Sequence, residues 1–460
     1  LSINFHDVRV GMVFAALTFA ALLSGVGCSN LAESQPQPAQ VSFAERAVIQ
    51  QATDVETNVR DDGGFTLNAK LEGDHFAMAV PENWNGQALV FAHGYSLPGS
   101  SISVSRDPVQ KDPSGGLMSG AYAQGFAVAH SDYDKAGVGV ASAVENTLRL
   151  RDFLNRMGVT DAYVAGASMG GNIVMAIIET RPNAFKGALS GCGLVDNWTD
   201  ELGLLIDLRA LYTYYTEGTK YALPGEMDLN RSALSPIPPT GDGPLNEPFR
   251  LLQMKRIADP IADLFKAARD DPEGQEAEII HKIASIAGVT PEPASLIVPI
   301  MTVSLGMDDM NATFGGGIYD SSDKVYSSSL LSTDEAMALN RDIGRVRAEP
   351  AAVAYADRWH RSTGKFSVPL IALHNRIDSL VPHSQFEGLI RKAEAVGTSD
   401  QLLAVTVPEV KTPLPGTGLE GLAHCGFTPA QLDAAFNALQ TWTTTNQKPS
   451  LVLPATTVEP

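Results

Sequence analysis

Ser168 stands in the run Gly166-Ala167-Ser168-Met169-Gly170, where a buried-strand pattern over Asp161–Ala167 gives way to a helical pattern leading to Pro182. A Gly-x-Ser-x-Gly turn between strand and helix holds its serine at a strained apex, with the hydroxyl exposed and the first helical amides beside it. That context makes Ser168 a candidate nucleophile; without it the five residues would be an ordinary turn. A serine hydroxyl needs a base, and the base needs an orienting carboxylate. When all three lie on loops at the carboxyl ends of parallel strands, the chain order expected is serine, then acid, then histidine. Asp378 follows the apolar run Val368–Asn375, and His424 lies in the loop before the last helical stretch. The interval between them leaves room for one helix and the strand Leu402–Val407. His93, His130, His374 and His383 also lie near strand ends and read as packing or capping groups. Glu387 and Glu409 are weaker candidates for the acid, Glu387 because it falls inside a predicted helix.

Attack on a carbonyl builds negative charge on its oxygen, so donors must be waiting there. The Met169 amide, directly after the serine, is one candidate. The Tyr95 amide is the other, in a loop where His93-Gly94 brings the chain close to the site. The ring of Tyr95 is also suited to lie against an apolar or aromatic acyl group.

These residues need a scaffold, and the hydrophobic pattern supplies one. Short apolar runs bounded by Gly, Pro or Asp occur over Gly64–Leu71, His75–Pro81, Gln87–Tyr95, Gly125–Tyr133, Asp161–Ser168, Phe185–Gly193, Val368–Arg376 and Leu402–Pro408. They read as eight strands. Helical stretches such as Val140–Gly158, with apolar positions three and four apart and a glycine stop, separate the later ones. A hairpin followed by strand–helix alternation predicts an α/β protein with a mostly parallel sheet covered on both faces. No internal repeat is present. Between Asp196 and Lys365 no core strand appears, and a structureless loop of that length is implausible in a compact protein. Helical pieces such as Asp200–Gly218 and Glu278–Gly288 point to a mostly helical insertion there.

The 33 basic against 52 acidic side chains give a formal net charge of -19, which argues against nucleic acid and anionic lipid surfaces as partners. From Val8 to Cys28 an apolar stretch after Arg9 ends in small residues, as a secretory signal does. Gly25 and Gly27 suit a signal peptidase, whereas Cys28-Ser29 suits lipidation at Cys28, although Gly25 departs from the usual lipid-acceptor pattern. Either route predicts export, to the periplasm, the outer membrane or the medium. The resulting division is a signal over 1–27, a tether over 28–45, core over 46–195 and 366–446, the insertion over 196–365, and a tail over 447–460. Of three cysteines, Cys28, Cys192 and Cys425, two then remain in an oxidising compartment, where a pair tends to close.

At "AHGY", "GASMGG", "HNRIDSLVP" and "AHCGF" the chain resembles the α/β-hydrolase superfamily, over roughly residues 51 to 446 apart from the insertion. The run "HGYSLPGSS" with "SMGG" resembles secreted cutinase-type polyesterases, and the cysteine after the histidine with a large insertion resembles feruloyl esterases and tannases. In the latter group that cysteine pairs with one directly before the nucleophile, where this chain has Ala167. The resemblance therefore implies a changed bond, Cys192–Cys425, holding the His424 loop to the sheet. It also implies that the insertion, after the sixth of the eight strands, is a lid. Tyr212, Tyr214 and Tyr215 would pack in the core of that lid or line a pocket. Lids of the feruloyl esterase type can carry calcium, but Asp308, Asp309, Asp320 and Asp323 match no calcium-loop spacing and read as solvated acidic turns. The expectation is a carboxylic ester hydrolase without cofactor or metal, acting on a small-molecule or polymeric ester. A serine peptidase with the same three residues and a non-catalytic binding protein are the rivals.

Overall fold

The computed structural model describes residues 38–100, 105–239 and 246–455. The expected signal over 1–27 and Cys28 lie outside the described residues. Eleven strands are present among them: β1 (Thr53–Val59), β2 (Phe65–Leu71), β3 (Asp74–Val80), β4 (Gln87–Ala92), β5 (Ala127–Ser131), β6 (Asp161–Ala167), β7 (Gly187–Gly191), β8 (Leu370–Asn375), β9 (Leu402–Val407), β10 (Lys411–Leu414) and β11 (Leu419–Leu422). The helices are α1 (Pro38–Ile49), α2 (Leu117–Ala123), α3 (Val140–Arg156), α4 (Met169–Thr180), α5 (Trp198–Thr216), α6 (Asn246–Asp270), α7 (Gln275–Ala287), α8 (Pro293–Phe314), α9 (Thr333–Asp342), α10 (Pro350–Trp359), α11 (His383–Val396) and α12 (Pro429–Thr445). None of these is long and apolar enough to cross a membrane.

Nine strands form one sheet in the order β1-β2-β3-β5-β4-β6-β7-β8-β9. The first three and the β3–β5 pair are antiparallel, and every later pair is parallel. The eight expected strands all form. β1 was not expected: its side chains are almost all exposed, so it lacks the apolar alternation by which a strand is recognised. The short β10–β11 hairpin, two residues before His424, was missed as well: its strands are only four residues long and β10 buries no side chain.

Central strands bury both faces, as parallel strands between helices must. In β4, Val90 joins the cluster under α3 and α4, while Leu89 and Phe91 join the opposite cluster under α2 and α12. Tyr163 of β6 does likewise, stacking edge-on against Phe436 of α12 at 5.5 Å. Helix α1 begins at Pro38, inside the stretch expected as a tether, and Phe43 sets its ring against Phe65 and Trp84. The tail is likewise docked as far as Pro454, whose carbonyl accepts from Gln431.

Helices α5 to α10 fill the interval between β7 and β8, as the missing strand pattern predicted. Two buried charged residues of this insertion, Asp207 and Arg209, are held by several polar partners. Asp207 accepts from Tyr319 and Tyr326 and pairs with Lys324, and Arg209 donates to the carbonyls of Arg231 and Glu226. Without those bonds the charges would be too costly to bury. Tyr212 is buried among them, its hydroxyl donating to the Tyr221 carbonyl.

Phe436 is completely buried at the centre of the α12 face. Phe436→Ala is expected to destabilise the protein by about 3–5 kcal/mol, read by chemical or thermal unfolding.

Candidate active site

The β6–α4 turn places Ser168 at φ 58°, ψ −125°. A side chain is rarely held there, and here the surroundings leave no alternative. A Cβ on Gly166 would lie 2.3 Å from the Gly170 carbonyl oxygen, and one on Gly170 would lie 2.0 Å from that of Ala92. Only glycines allow the turn to close against β4. Gly94, from the loop after β4, approaches so near that its Cβ would sit 3.2 Å from that of Ser168. The Ser168 amide donates to Gly191, and the Ser168 carbonyl accepts from Gly171 and Leu194, so the backbone around the apex is pinned on both sides.

Asp378 leaves the end of β8 with a fully buried side chain. Its Oδ1 accepts from the amides of Leu380 and Val381 and from His424 Nδ1 at 2.7 Å, and its Oδ2 accepts from the Cys425 amide at 2.9 Å. Burial alone would raise this carboxyl. The charge and hydrogen bond of His424 and the Cys425 amide outweigh it and hold Asp378 below the usual carboxylate value. With Nδ1 donating to Asp378, His424 presents Nε2 as the free basic nitrogen. The other histidines are elsewhere engaged: His93 bonds Gly94, His374 bonds Asn375, and burial pushes His130 down to about 4. His383 contacts Glu387, and Glu409 is exposed, so neither glutamate replaces Asp378.

Ser168 and His424 open on one cavity of about 350 Å³, with Gly94 and Tyr95 in its wall. The rest of the lining is mostly apolar, including Leu117, Leu189, Leu380 and Phe427. A larger cavity of about 690 Å³ lies across the loop after β4, lined by His93, Ser96, His130 and Lys135, and contains neither Ser168 nor His424. Tyr212, Tyr214 and Tyr215 line neither cavity. The amide of Met169 is the first of α4 and directly follows Ser168.

Cys192, at the end of β7, is bonded to Cys425 with the Cα atoms 5.3 Å apart. The Cys425 sulfur lies 3.5 Å from His424 Nε2, so the bridge packs directly on the imidazole. Cys192, Asp378, His424 and Cys425 bring potential metal ligands within 4.8 Å of one another. The sulfurs are spent on each other and the other two groups share a hydrogen bond, so the donor set does not suit a cation. The acidic residues 308, 309, 320 and 323 do not form one cluster of turns: Asp308 and Asp309 are on α8, pairing with Arg231 and accepting from the Val138 amide.

Two residues of this site escaped sequence reasoning. Asn375 is wholly buried at the end of β8, where its side chain donates to the Pro408 and Gly426 carbonyls and accepts from the Gly426 amide, clamping the His424 loop. Glu201, on α5, is 2% exposed and its Oε2 has no hydrogen-bond partner. Burial, and then the charge of Asp378, hold its carboxyl far above the usual range.

A mostly parallel sheet in this order, with its serine at the strand-to-helix turn, is the α/β-hydrolase fold. No family model and no curated protein matches the sequence. The chain is similar to an esterase from Aspergillus oryzae, at 12% identity and a TM-score of 0.43, covering 88% of this chain and 91% of that one. It is similar to feruloyl esterase B from Aspergillus oryzae at 14% identity and 0.38, covering 89% and 92%. A putative hydrolase from Legionella pneumophila is matched at 12% identity and 0.40, covering 90% and 96%.

Two outcomes follow from these contacts. Replacing both Cys192 and Cys425 by serine should lower stability by about 2–5 kcal/mol in an unfolding titration. Glu201 binds its proton in the folded state to higher pH than in the unfolded chain, so its burial costs stability as pH rises above the unfolded value of about 4.3. Glu201→Gln, which mimics the protonated form, should therefore raise Tm at neutral pH and change it little below about pH 4.

Proposed function

We propose that this protein is an exported serine hydrolase that cleaves carboxylic esters. The observation that carries the reading is a strained, half-buried Ser168 sharing a cavity with His424, whose Nδ1 is held by buried Asp378. His424 Nε2 takes the Ser168 proton as the serine oxygen attacks the ester carbonyl. The amides of Tyr95 and Met169 receive the oxyanion. Collapse breaks the bond to the alcohol, which leaves with the proton from His424, and water repeats the sequence to release the acid. Asp378 fixes the imidazole orientation and balances its charge when protonated, without taking the proton itself.

The apolar walls supplied by Leu117, Leu189, Leu380 and Phe427 favour an apolar acyl group. A lid role for the insertion, excluding water from the acyl-enzyme, is supported by the contacts of α8 with the loops that carry Tyr95 and His424. Export is supported by the Cys192–Cys425 bond, since such bonds persist in oxidising compartments.

The purified protein should hydrolyse p-nitrophenyl esters, and Ser168→Ala should reduce kcat by about 10⁴-fold or more. Turnover of an aminoacyl p-nitroanilide in place of the esters would make the protein a peptidase instead. Silence on both would leave a binding protein.

A further inference from the structure

Helix α8 of the insertion touches the site from both sides. At its N-terminal end, Glu292 accepts from the amides of Ala294 and Ser295 and from that of Leu422, two residues before His424. Gly421 packs so tightly there that a Cβ would lie 2.6 Å from that of Ala294. Three turns further along, the helix meets the loop that carries Tyr95. A Cβ on Gly306 would lie 2.3 Å from the Tyr95 hydroxyl oxygen and 3.4 Å from the ring carbon bearing it. Glycine within a helix of 22 residues is destabilising relative to alanine, so its presence needs a reason. Room for the Tyr95 ring is that reason.

The same face is tied to the loop a second time. Asp309 accepts from the Val138 amide at 2.8 Å, Thr313 donates to the Val138 carbonyl at 3.0 Å, and Lys135 donates to Thr313 at 2.8 Å. Gly137, next to Val138, donates to the Ser96 carbonyl at 2.9 Å, one residue beyond Tyr95. The Tyr95 hydroxyl is buried without a hydrogen-bond partner, so the ring is located by packing alone.

We infer that Tyr95, seated on Gly306, is a positioning residue: the fit of its ring against α8 sets the aim of its own backbone amide at the oxyanion. This rests on the serine-hydrolase reading above. It means that α8 is a fixed part of the oxyanion hole, so any opening of the insertion must leave this helix in place or disassemble the hole. An amide displaced by a fraction of an ångström loses stabilisation of the transition state while ground-state binding is kept.

The test measures kcat and KM on a p-nitrophenyl ester, together with the Ki of a trifluoromethyl ketone that forms an oxyanion on the serine. In Gly306→Ala the new methyl displaces the Tyr95 ring. We expect kcat to fall by about 10- to 100-fold, Ki to rise in parallel and KM to stay within about twofold. The decisive variant is Tyr95→Phe/Gly306→Ala, in which the clashing hydroxyl is gone; it should recover to within about threefold of Tyr95→Phe alone. Gly306→Ala with wild-type kcat and Ki would overturn the inference, as would a double variant no better than Gly306→Ala. Should Gly306→Ala not accumulate as folded protein, Tyr95→Leu removes the seated ring but keeps the amide. A fall in kcat with a parallel rise in Ki supports the proposal there, and unchanged values overturn it. A wild-type protein that neither turns over the ester nor binds the ketone contradicts the functional reading itself, which separates that failure from this one.

Discussion

Everything at the candidate site depends on one strained residue. Ser168 holds φ 58° because the β6–α4 turn is compressed between β4 and the end of β7, and five glycines without side chains make that compression feasible. Gly166 and Gly170 face one another, Gly94 approaches the serine itself, and a Cβ on Gly171 would collide with Gly193. Conformations of this kind cost about 1–3 kcal/mol and persist only where the fold over-determines them. What the strain produces is a hydroxyl lifted out of the turn, with the first amide of α4 beside it.

The acid and the histidine are held by a different device. Asp378 is desolvated, which would normally neutralise it, yet it accepts four hydrogen bonds, two from its own turn and two from the His424–Cys425 pair. Its ionised state and the placement of the imidazole are thus the same fact. Asn375 and the Cys192–Cys425 bridge clamp the histidine loop onto the ends of β8 and β7. Glu201 fits this arrangement: burial, and then the charge of Asp378, push its carboxyl well above the usual range, because a second ionised carboxyl there would repel the first. In the proposed mechanism, the insertion contributes more than a cover, since α5 carries Glu201 and α8 reaches both the histidine and the Tyr95 loops.

How much of this was legible beforehand follows from what each feature rests on. Strands such as β4, β6 and β8 are apolar on both faces, so the sheet could be read from the pattern, whereas β1 lies at an edge with exposed side chains and could not. Ser168 and Asp378 were placed by the readable strands β6 and β8, whereas His424 follows the unread β11 and was placed only by its loop before the last helical stretch. Cys192 was legible through its place at the end of β7 together with a resemblance. Glu201, Asn375 and Gly306 were not legible, because their roles come from neighbours distant in sequence. Asp308 and Asp309 were misread as part of a turn cluster, since a helix of mixed pattern reaching Phe314 gives a weak end signal.

The central claim is that Ser168 is the nucleophile. The most direct test treats the protein with a fluorophosphonate and maps the adduct by mass spectrometry of the digested chain. The account predicts a single adduct, on the peptide containing Ser168, and none after Ser168→Ala. An adduct on another residue, or an unlabelled wild-type protein, would contradict it.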